Sequence, residues 1–217
     1  MNPTGSSRGV HVLVFGASLR RGSLNTRLAT LAARTAEGSG ASVELVDFRE
    51  FDVPLYDQDI ERDDGIPAGA VRFRDRLATA QGFVIASPEY NASMSGTLKN
   101  LIDWTSRFHP QPFAERHGML MSASPSMSGG NRGLWALRVP LEHLGARLYP
   151  DMFSLAQAHT AFTPEGDLSD ATLRDRFAGT VDGFLDLAEA ASNYRCVKRA
   201  WVEFLGERPD PAIDRVE

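Results

Sequence analysis

The 217-residue chain has one cysteine, Cys196. That excludes an internal disulfide, a cysteine-based zinc cluster and a CxxC redox pair. No apolar run approaches the ~20 residues that span a bilayer. There is no basic block and the net charge is −5, so neither a membrane nor a nucleic acid is an expected partner. The patterns GxGxxG and GxxxxGK[ST] are missing, which removes the dinucleotide fingerprint and the Walker loop. No GxSxG follows a strand pattern, which leaves a hydrolase nucleophile elbow unsupported. The histidines at 11, 109, 117, 143 and 159 have no ligand spacing, so no metal site is expected. Met1 to Arg8 is polar, with no apolar signal-peptide region. A cytoplasmic location is the expectation.

Hydrophobic residues make up 42% of the chain and charged residues 24%, ordinary values for a globular domain. A chain of this size buries roughly 70% of its unfolded surface and needs no covalent staple. Strand-like apolar runs alternate with helical patterns. Val10 to Phe15 is a near-continuous apolar run ending at Gly16, as in a strand buried on both faces. Leu24, Leu28, Leu31 and Ala32 follow at helical spacing and stop at Gly38-Ser39-Gly40. Val43 to Phe48 reads as a second strand, followed by a polar loop with Pro54, Gly65 and Pro67.

Phe73, Leu77 and Ala80 mark the next helix, and Phe83 to Ala86 the third strand. Leu98, Leu101, Ile102 and Thr105 share a helical face, and Met119 to Met121 is a fourth strand. Leu134, Leu137, Leu141 and Leu144 form another stripe, and Ala146 to Tyr149 a weaker fifth strand pattern. Leu173, Phe177, Val181, Phe184 and Ala188 make the last major helix. The order βαβαβαβαβα predicts an α/β domain, a parallel sheet with helices on both faces. Residues 1–194 form this domain. Residues 195–217 are an extension, in which Trp201, Phe204 and Leu205 make one apolar face. Such a face packs on the domain or on a partner; the alternative is that the segment is only a frayed tail.

Ligands of parallel sheets bind beyond the carboxyl ends of the strands, so the loops after strands one, three and four are where chemistry is expected. The first, Gly16 to Asn25, has Ser18, Ser23 and Asn25 with Arg20 at a helix start. That chemistry suits a terminal phosphate. The alternative is that Ser23 only caps the helix. The second loop, Ser87 to Gly96, has Pro88, Tyr90 and Asn91 and could line a planar heterocycle; the alternative is an ordinary capped loop. The third, Ser122 to Gly133, is rich in small residues that admit a ligand to the backbone, or is a plain surface loop.

The first and second loops resemble those of the NADPH-dependent FMN reductase family. The family pattern Gly-Ser-x-Arg-x-x-Ser-x-Asn corresponds to Ala17 to Asn25, with a departure at Ala17. Its second pattern, Pro-Glu-Tyr-Asn-x-Ser, then Gly-x-Leu-Lys-Asn and Asp-Trp, corresponds to Pro88 to Ser93 and Gly96 to Trp104. The third loop looks like its Ser-Pro and Gly-Gly loop. The resemblance runs from Val10 to about Ala191 and leaves the C-terminal segment out. It implies a flavodoxin-like five-stranded sheet of order 2-1-3-4-5. It also implies that Ser18, Arg20, Ser23 and Asn25 hold the FMN phosphate. Pro88, Glu89, Tyr90 and Asn91 then line the isoalloxazine, chiefly through backbone, and Ser124 contacts the flavin.

Hydride chemistry belongs to a flavin, so no catalytic side chain is named. The implied enzyme is a ping-pong reductase. It passes hydride from NADPH through FMN to a small acceptor: a quinone, azo compound, metal oxyanion or free flavin. A homodimer or homotetramer is implied. The competing readings are a flavodoxin-like electron carrier and a non-catalytic flavin-binding partner protein. Arg20 and the modest charge argue against the carrier. The arsenic-resistance branch of the family tends to carry Glu-Arg-His where this chain has Glu89-Tyr90-Asn91.

Overall fold

A computed structural model describes residues 9–205, with side chains through residue 192. Strand β1 (His11–Gly16) leads into helix α1 (Leu24–Gly38) and β2 (Ser42–Val46). A 3-10 turn at Phe48–Phe51 is followed by α2 (Gln58–Asp64), α3 (Ala68–Thr79) and β3 (Gly82–Ala86). Next come α4 (Gly96–Thr105), β4 (His117–Ala123) and α5 (Asn131–His143). The described residues end with β5 (Arg147–Leu148), β6 (Phe153–Leu155), α6 (Ala158–Ala161) and α7 (Ala171–Leu205). The sheet runs β2-β1-β3-β4-β5, all parallel, with β6 also pairing β4. This is the flavodoxin-like order expected from the sequence. No described helix is long and apolar enough to cross a membrane.

The unbroken apolar runs follow from burial on both faces. Val12 and Val14 of β1 face α1 and α7, while Leu13 and Phe15 face α3, α4 and α5. Val84 and Ala86 of β3 join the first core, and Phe83 and Ile85 the second. Phe15 anchors the second core, with Phe48 at 5.8 Å, Phe51 at 5.8 Å and Phe73 at 5.7 Å between ring centres.

Three local features differ from the sequence expectation. Phe48 belongs to the 3-10 turn, because Asp47 Oδ1 accepts the Arg49 N–H at 3.0 Å and bends the chain off the sheet. The polar loop holds the short helix α2, capped by the Asp57 side chain on the Asp59 N–H. It buries no residue, so it leaves no apolar periodicity to read. The fifth edge is split. Arg147 and Leu148 pair with the start of β4, and Phe153 to Leu155 with its end. Pro150, which has no N–H to give a ladder, lies in the gap.

Helix α7 runs without a break past residues 194 and 195. The apolar face of Trp201, Phe204 and Leu205 lies outside the described side chains, and residues 206–217 lie outside the described chain.

Candidate active site

The order of strands reverses between β1 and β3, because β1 connects outward to β2 and β3 connects away toward β4. A crevice for a ligand forms at that point. The three expected loops meet there, and three sets of hydrogen bonds tie them.

The first tie is Asn25 to β4. Asn25 is buried near the start of α1. Its Nδ2 donates to the Ala123 carbonyl at 3.1 Å, and its Oδ1 accepts from the Ala123 N–H at 2.9 Å. The amide thereby acts like one more rung of the sheet, joining the first loop to the third. This placement makes Asn25 a fastener of the loop, with its side chain already engaged.

The second tie joins the first and second loops. Ser95 caps α4 by accepting the Leu98 N–H at 3.3 Å, and its Oγ donates to the Ala17 carbonyl at 3.4 Å. Ala17 also donates its own N–H to Ala86 at 2.8 Å. The Ala17 methyl is fully buried in the second core. The departure from the family's Gly is therefore accommodated by packing.

The third tie is Glu89, whose side chain is only 9% exposed. Its Oε2 accepts the Gly133 N–H at 3.0 Å, and its Oε1 accepts from Arg132 Nε at 3.0 Å and pairs with Nη2 at 2.8 Å. A carboxylate at the first turn of α5 also meets the positive end of the helix dipole. Glu89 thus fastens the second loop to the third.

Between these ties the backbone is open to a ligand. Ser23 caps α1, accepting from the Asn25 and Thr26 N–H groups at 3.2 and 3.4 Å. Ser18 Oγ is turned into the loop, accepting the Arg20 N–H at 3.3 Å. Gly16 permits α1 to start this close to β1, since a Cβ there would lie 2.7 Å from Thr26 Cα. Arg20 is exposed, with only a 3.5 Å contact to the Gly22 carbonyl. Ser23 thus takes two of the first-turn N–H groups of α1, and the available guanidinium of Arg20 beside this helix start is a donor suited to a phosphate.

In the second loop Tyr90 and Ser93 exchange backbone hydrogen bonds at 2.9 and 3.0 Å. Asn91 and Ala92 between them have φ of 51° and 60°, the sign pattern of a type I′ turn. A left-handed alanine is costly, and such strain is concentrated at functional sites. The turn holds Tyr90 out, 53% exposed, while Pro88 is buried at the strand exit. In the third loop the hydroxyls of Ser124, Ser126 and Ser128 form a chain at 2.9 and 3.0 Å. Ser122 Oγ beneath it is buried without a partner, and a Cβ on Gly130 would strike it. A Gly at 130 lets the third loop's backbone lie directly over this hydroxyl.

The nine expected residues thus sort by place. Ser18, Ser23 and Arg20 form the first loop's donor set, and Asn25 and Glu89 are fasteners. Pro88, Tyr90, Asn91 and Ser124 line the rim. The sequence reading left Ser95, Ser122 and Arg132 unassigned. Ser95 had a local signal, a serine just before the helix start at Gly96. Ser122 and Arg132 had none, because their roles depend on contacts across the sheet. No group of three His, Cys, Asp or Glu among the described residues could hold a metal ion.

The second half of the family's second motif lies away from the rim. Trp104 is fully buried and donates from Nε1 to the Pro54 carbonyl at 2.8 Å. Asn100 Nδ2 donates to the same carbonyl at 2.8 Å, and its Oδ1 accepts the Tyr56 N–H at 2.8 Å. Tyr56 meets Trp104 edge-on at 5.0 Å and donates from its hydroxyl to Glu61 at 2.9 Å. Arg107 pairs with both Glu61 oxygens at 3.0 Å. These contacts clasp the segment after β2 onto α4. Hydrogen bonds from Arg107 and then Tyr56 hold the Glu61 carboxyl below its ordinary value, and the bond to Glu61 raises the Tyr56 hydroxyl.

An open α/β sheet of order 2-1-3-4-5 with a phosphate-type loop at its switch point defines a flavodoxin-like mononucleotide-binding protein. Comparison with known proteins is narrower. The family described as NADPH-dependent FMN reductase matches residues 10–160, more than half of the chain. The chain belongs to this family of oxidoreductases, with FMN as the cofactor. It is 37% identical over 180 residues to "Probable NADPH:quinone oxidoreductase 2" of Oryza sativa subsp. japonica, covering 81% of this chain and 87% of the relative. It is 32% identical to a quinone reductase of Escherichia coli strain K12, covering 82% and 95%. A solved structure of the Paracoccus denitrificans flavoenzyme NAD(P)H:(acceptor) oxidoreductase (FerB) superposes with a TM-score of 0.73 at 29% identity. That match covers 84% of this chain and 98% of the other.

Proposed function

We propose that the chain is an FMN-dependent NADPH oxidoreductase that reduces a small acceptor such as a quinone, azo compound, metal oxyanion or free flavin. The observation that carries the reading is the tied rim at the switch point. Three loops are held together by Asn25, Ser95 and Glu89, with a partnerless Ser122 hydroxyl beneath. Bound FMN supplies the hydride chemistry, and the protein supplies binding and orientation. Ser18, Ser23 and Arg20 would hold the phosphate, with Asn25 keeping their loop in register. Pro88, Tyr90 and Asn91 would offer backbone to the ring edge, Glu89 would fix their loop, and Ser124 would close the far side.

No side chain of the chain is asked to move a proton. Donor and acceptor would occupy the same open face in turn, which gives ping-pong kinetics, and the cytoplasm is the location proposed for the reaction. An open flavin edge needs cover, so the active unit would be a homodimer or homotetramer. Segments 52–67 and 107–116 would help wall the pocket. The names of the relatives, which carry quinone reductase or NADPH:quinone activity, support the acceptor class.

The test is release of the cofactor from purified protein, followed by NADPH oxidation with a panel of acceptors. The expected result is FMN, with parallel lines in double-reciprocal plots. Release of FAD, or no flavin uptake after soaking in FMN, sinks the reading. Light scattering at the monomer mass of 23.7 kDa during turnover would overturn the oligomer.

A further inference from the structure

The first loop has a second side. Facing β2, away from the second and third loops, lies a cavity of about 410 Å³. That volume falls within the ~300–1,000 Å³ usual for ligand sites. Arg20 and Ser23, which this wall shares with the flavin-phosphate side, stand with Arg21 and Gly22 on one side; Thr26 and Thr30 of α1 form another, and Leu45 with Phe48 and Arg49 the third. Leu45 is 46% exposed on the edge strand, so the cavity has an apolar plate beside a cationic wall. An aromatic base fits the one and a phosphate the other.

The charges in it are unequally engaged. Asp47, the one acid in the lining, pairs with Arg49 at 3.5 Å and also accepts the Arg49 N–H. Arg49 in turn donates to the Leu19 carbonyl and fixes the loop. Arg27 lies over the Phe162 ring at 4.5 Å and donates to the Thr163 carbonyl. Arg21 has no hydrogen-bond or ion-pair partner among the described residues. A cavity with its acid neutralised and a free guanidinium at its mouth is an anion site in waiting.

Position narrows the anion. The cavity lies at the carboxyl end of β2, beside the loop that leaves β1. In dinucleotide-binding sheets the end of the second strand meets the adenosine ribose, and an arginine there accommodates a 2′-phosphate. The first loop borders both this cavity and the rim, as a hydride donor reaching the flavin requires. We propose that the cavity takes the 2′-phosphoadenosine end of NADPH. Arg21 meets the 2′-phosphate, and Leu45 underlies the base. The proposal rests on the reductase reading above and deepens it, making Arg21 the residue that selects NADPH over NADH.

The experiment titrates FMN-loaded protein with 2′,5′-ADP and with 5′-ADP by calorimetry, in the wild type and in Arg21→Ala. The wild type should bind 2′,5′-ADP about tenfold more tightly, the scale of one partly exposed charge-assisted contact. Arg21→Ala should erase that difference. It should raise KM for NADPH about tenfold and leave KM for NADH and the affinity for FMN unchanged. Leu45→Asp should weaken both nucleotides while keeping FMN, which separates the base contact from the phosphate contact. Equal binding of the two nucleotides to the wild type overturns the proposal. So does an equal rise in both KM values for Arg21→Ala. Displacement of 2′,5′-ADP by FMN would show that the cavity is the flavin's own phosphate site and would also overturn it. Failure of the reductase reading appears separately, as absent flavin absorbance or absent NADPH oxidation.

Discussion

The two halves of one contiguous motif do different work. Pro88 to Ser93 lies at the rim, where the type I′ turn leaves Tyr90 and Asn91 exposed. Further along the same motif, Asn100 and the buried Trp104 clasp the segment after β2 through Pro54 and Tyr56. Ser95 stands between them and bonds in both directions, to α4 and to Ala17. A run of motif residues therefore need not be a run of ligand contacts. The rim half offers backbone to a ligand, and the clasp half keeps the scaffold under it rigid.

Breaking the clasp should have the largest effect on stability and little on chemistry. Trp104→Ala removes a fully buried ring and its hydrogen bond to Pro54. It should cost about 3–5 kcal/mol in denaturant unfolding. Below its melting temperature the variant should keep FMN. A variant that stays as stable as the parent yet loses flavin would place Trp104 at the rim.

The rim half should show the reverse. Arg20→Ala, at an exposed guanidinium, should weaken FMN binding by about 2 kcal/mol with the unfolding midpoint of the flavin-free protein unchanged. Flavin titration of both forms reads it. Arg21→Ala in the same titration should change nothing, and equal effects at the two positions would misplace the phosphate.

Glu89 lies on the border between the two kinds of role. Glu89→Ala leaves the Gly133 N–H and Arg132 without their carboxylate. It should cost about 1–2 kcal/mol of stability and loosen FMN as well, because two loops lose their tie. Glu89→Gln, which keeps an acceptor for Gly133, should recover most of the stability. Loss of flavin binding with full stability in both variants would make Glu89 a direct contact.

The smallest effect is a pH slope in the clasp. Arg107 and Tyr56 hold the Glu61 carboxyl below its ordinary value of 4.5. Their contribution is present above pH 4.5, where an unfolded glutamate has also ionised, and is lost as pH falls through the lower folded value. Thermal melts of the parent should therefore fall in this acid window more steeply than those of Glu61→Gln. Identical slopes would mean that the clasp carries no charge dependence.

Much of the molecule is local enough to read from one dimension. The apolar runs of β1, β3 and β4 follow from strands buried on both faces, and their alternation with helical stripes predicts the parallel sheet. Ser23 as a helix cap and Arg20 beside it are likewise short-range features, a loop meeting a helix start. Other features depend on residues far apart. Asn25 meets Ala123 across 98 residues, and Glu89 meets Gly133 across 44. Nothing near Asn25 tells a phosphate ligand from a fastener of the sheet. The split of the fifth strand, the clasp on Pro54 and the cavity behind Arg21 are equally non-local. Periodicity and capping are properties of neighbours along the chain, so the sequence alone determined them. Which side chains are already hydrogen-bonded, and which remain free for a ligand, depends on partners brought together only by the folded sheet.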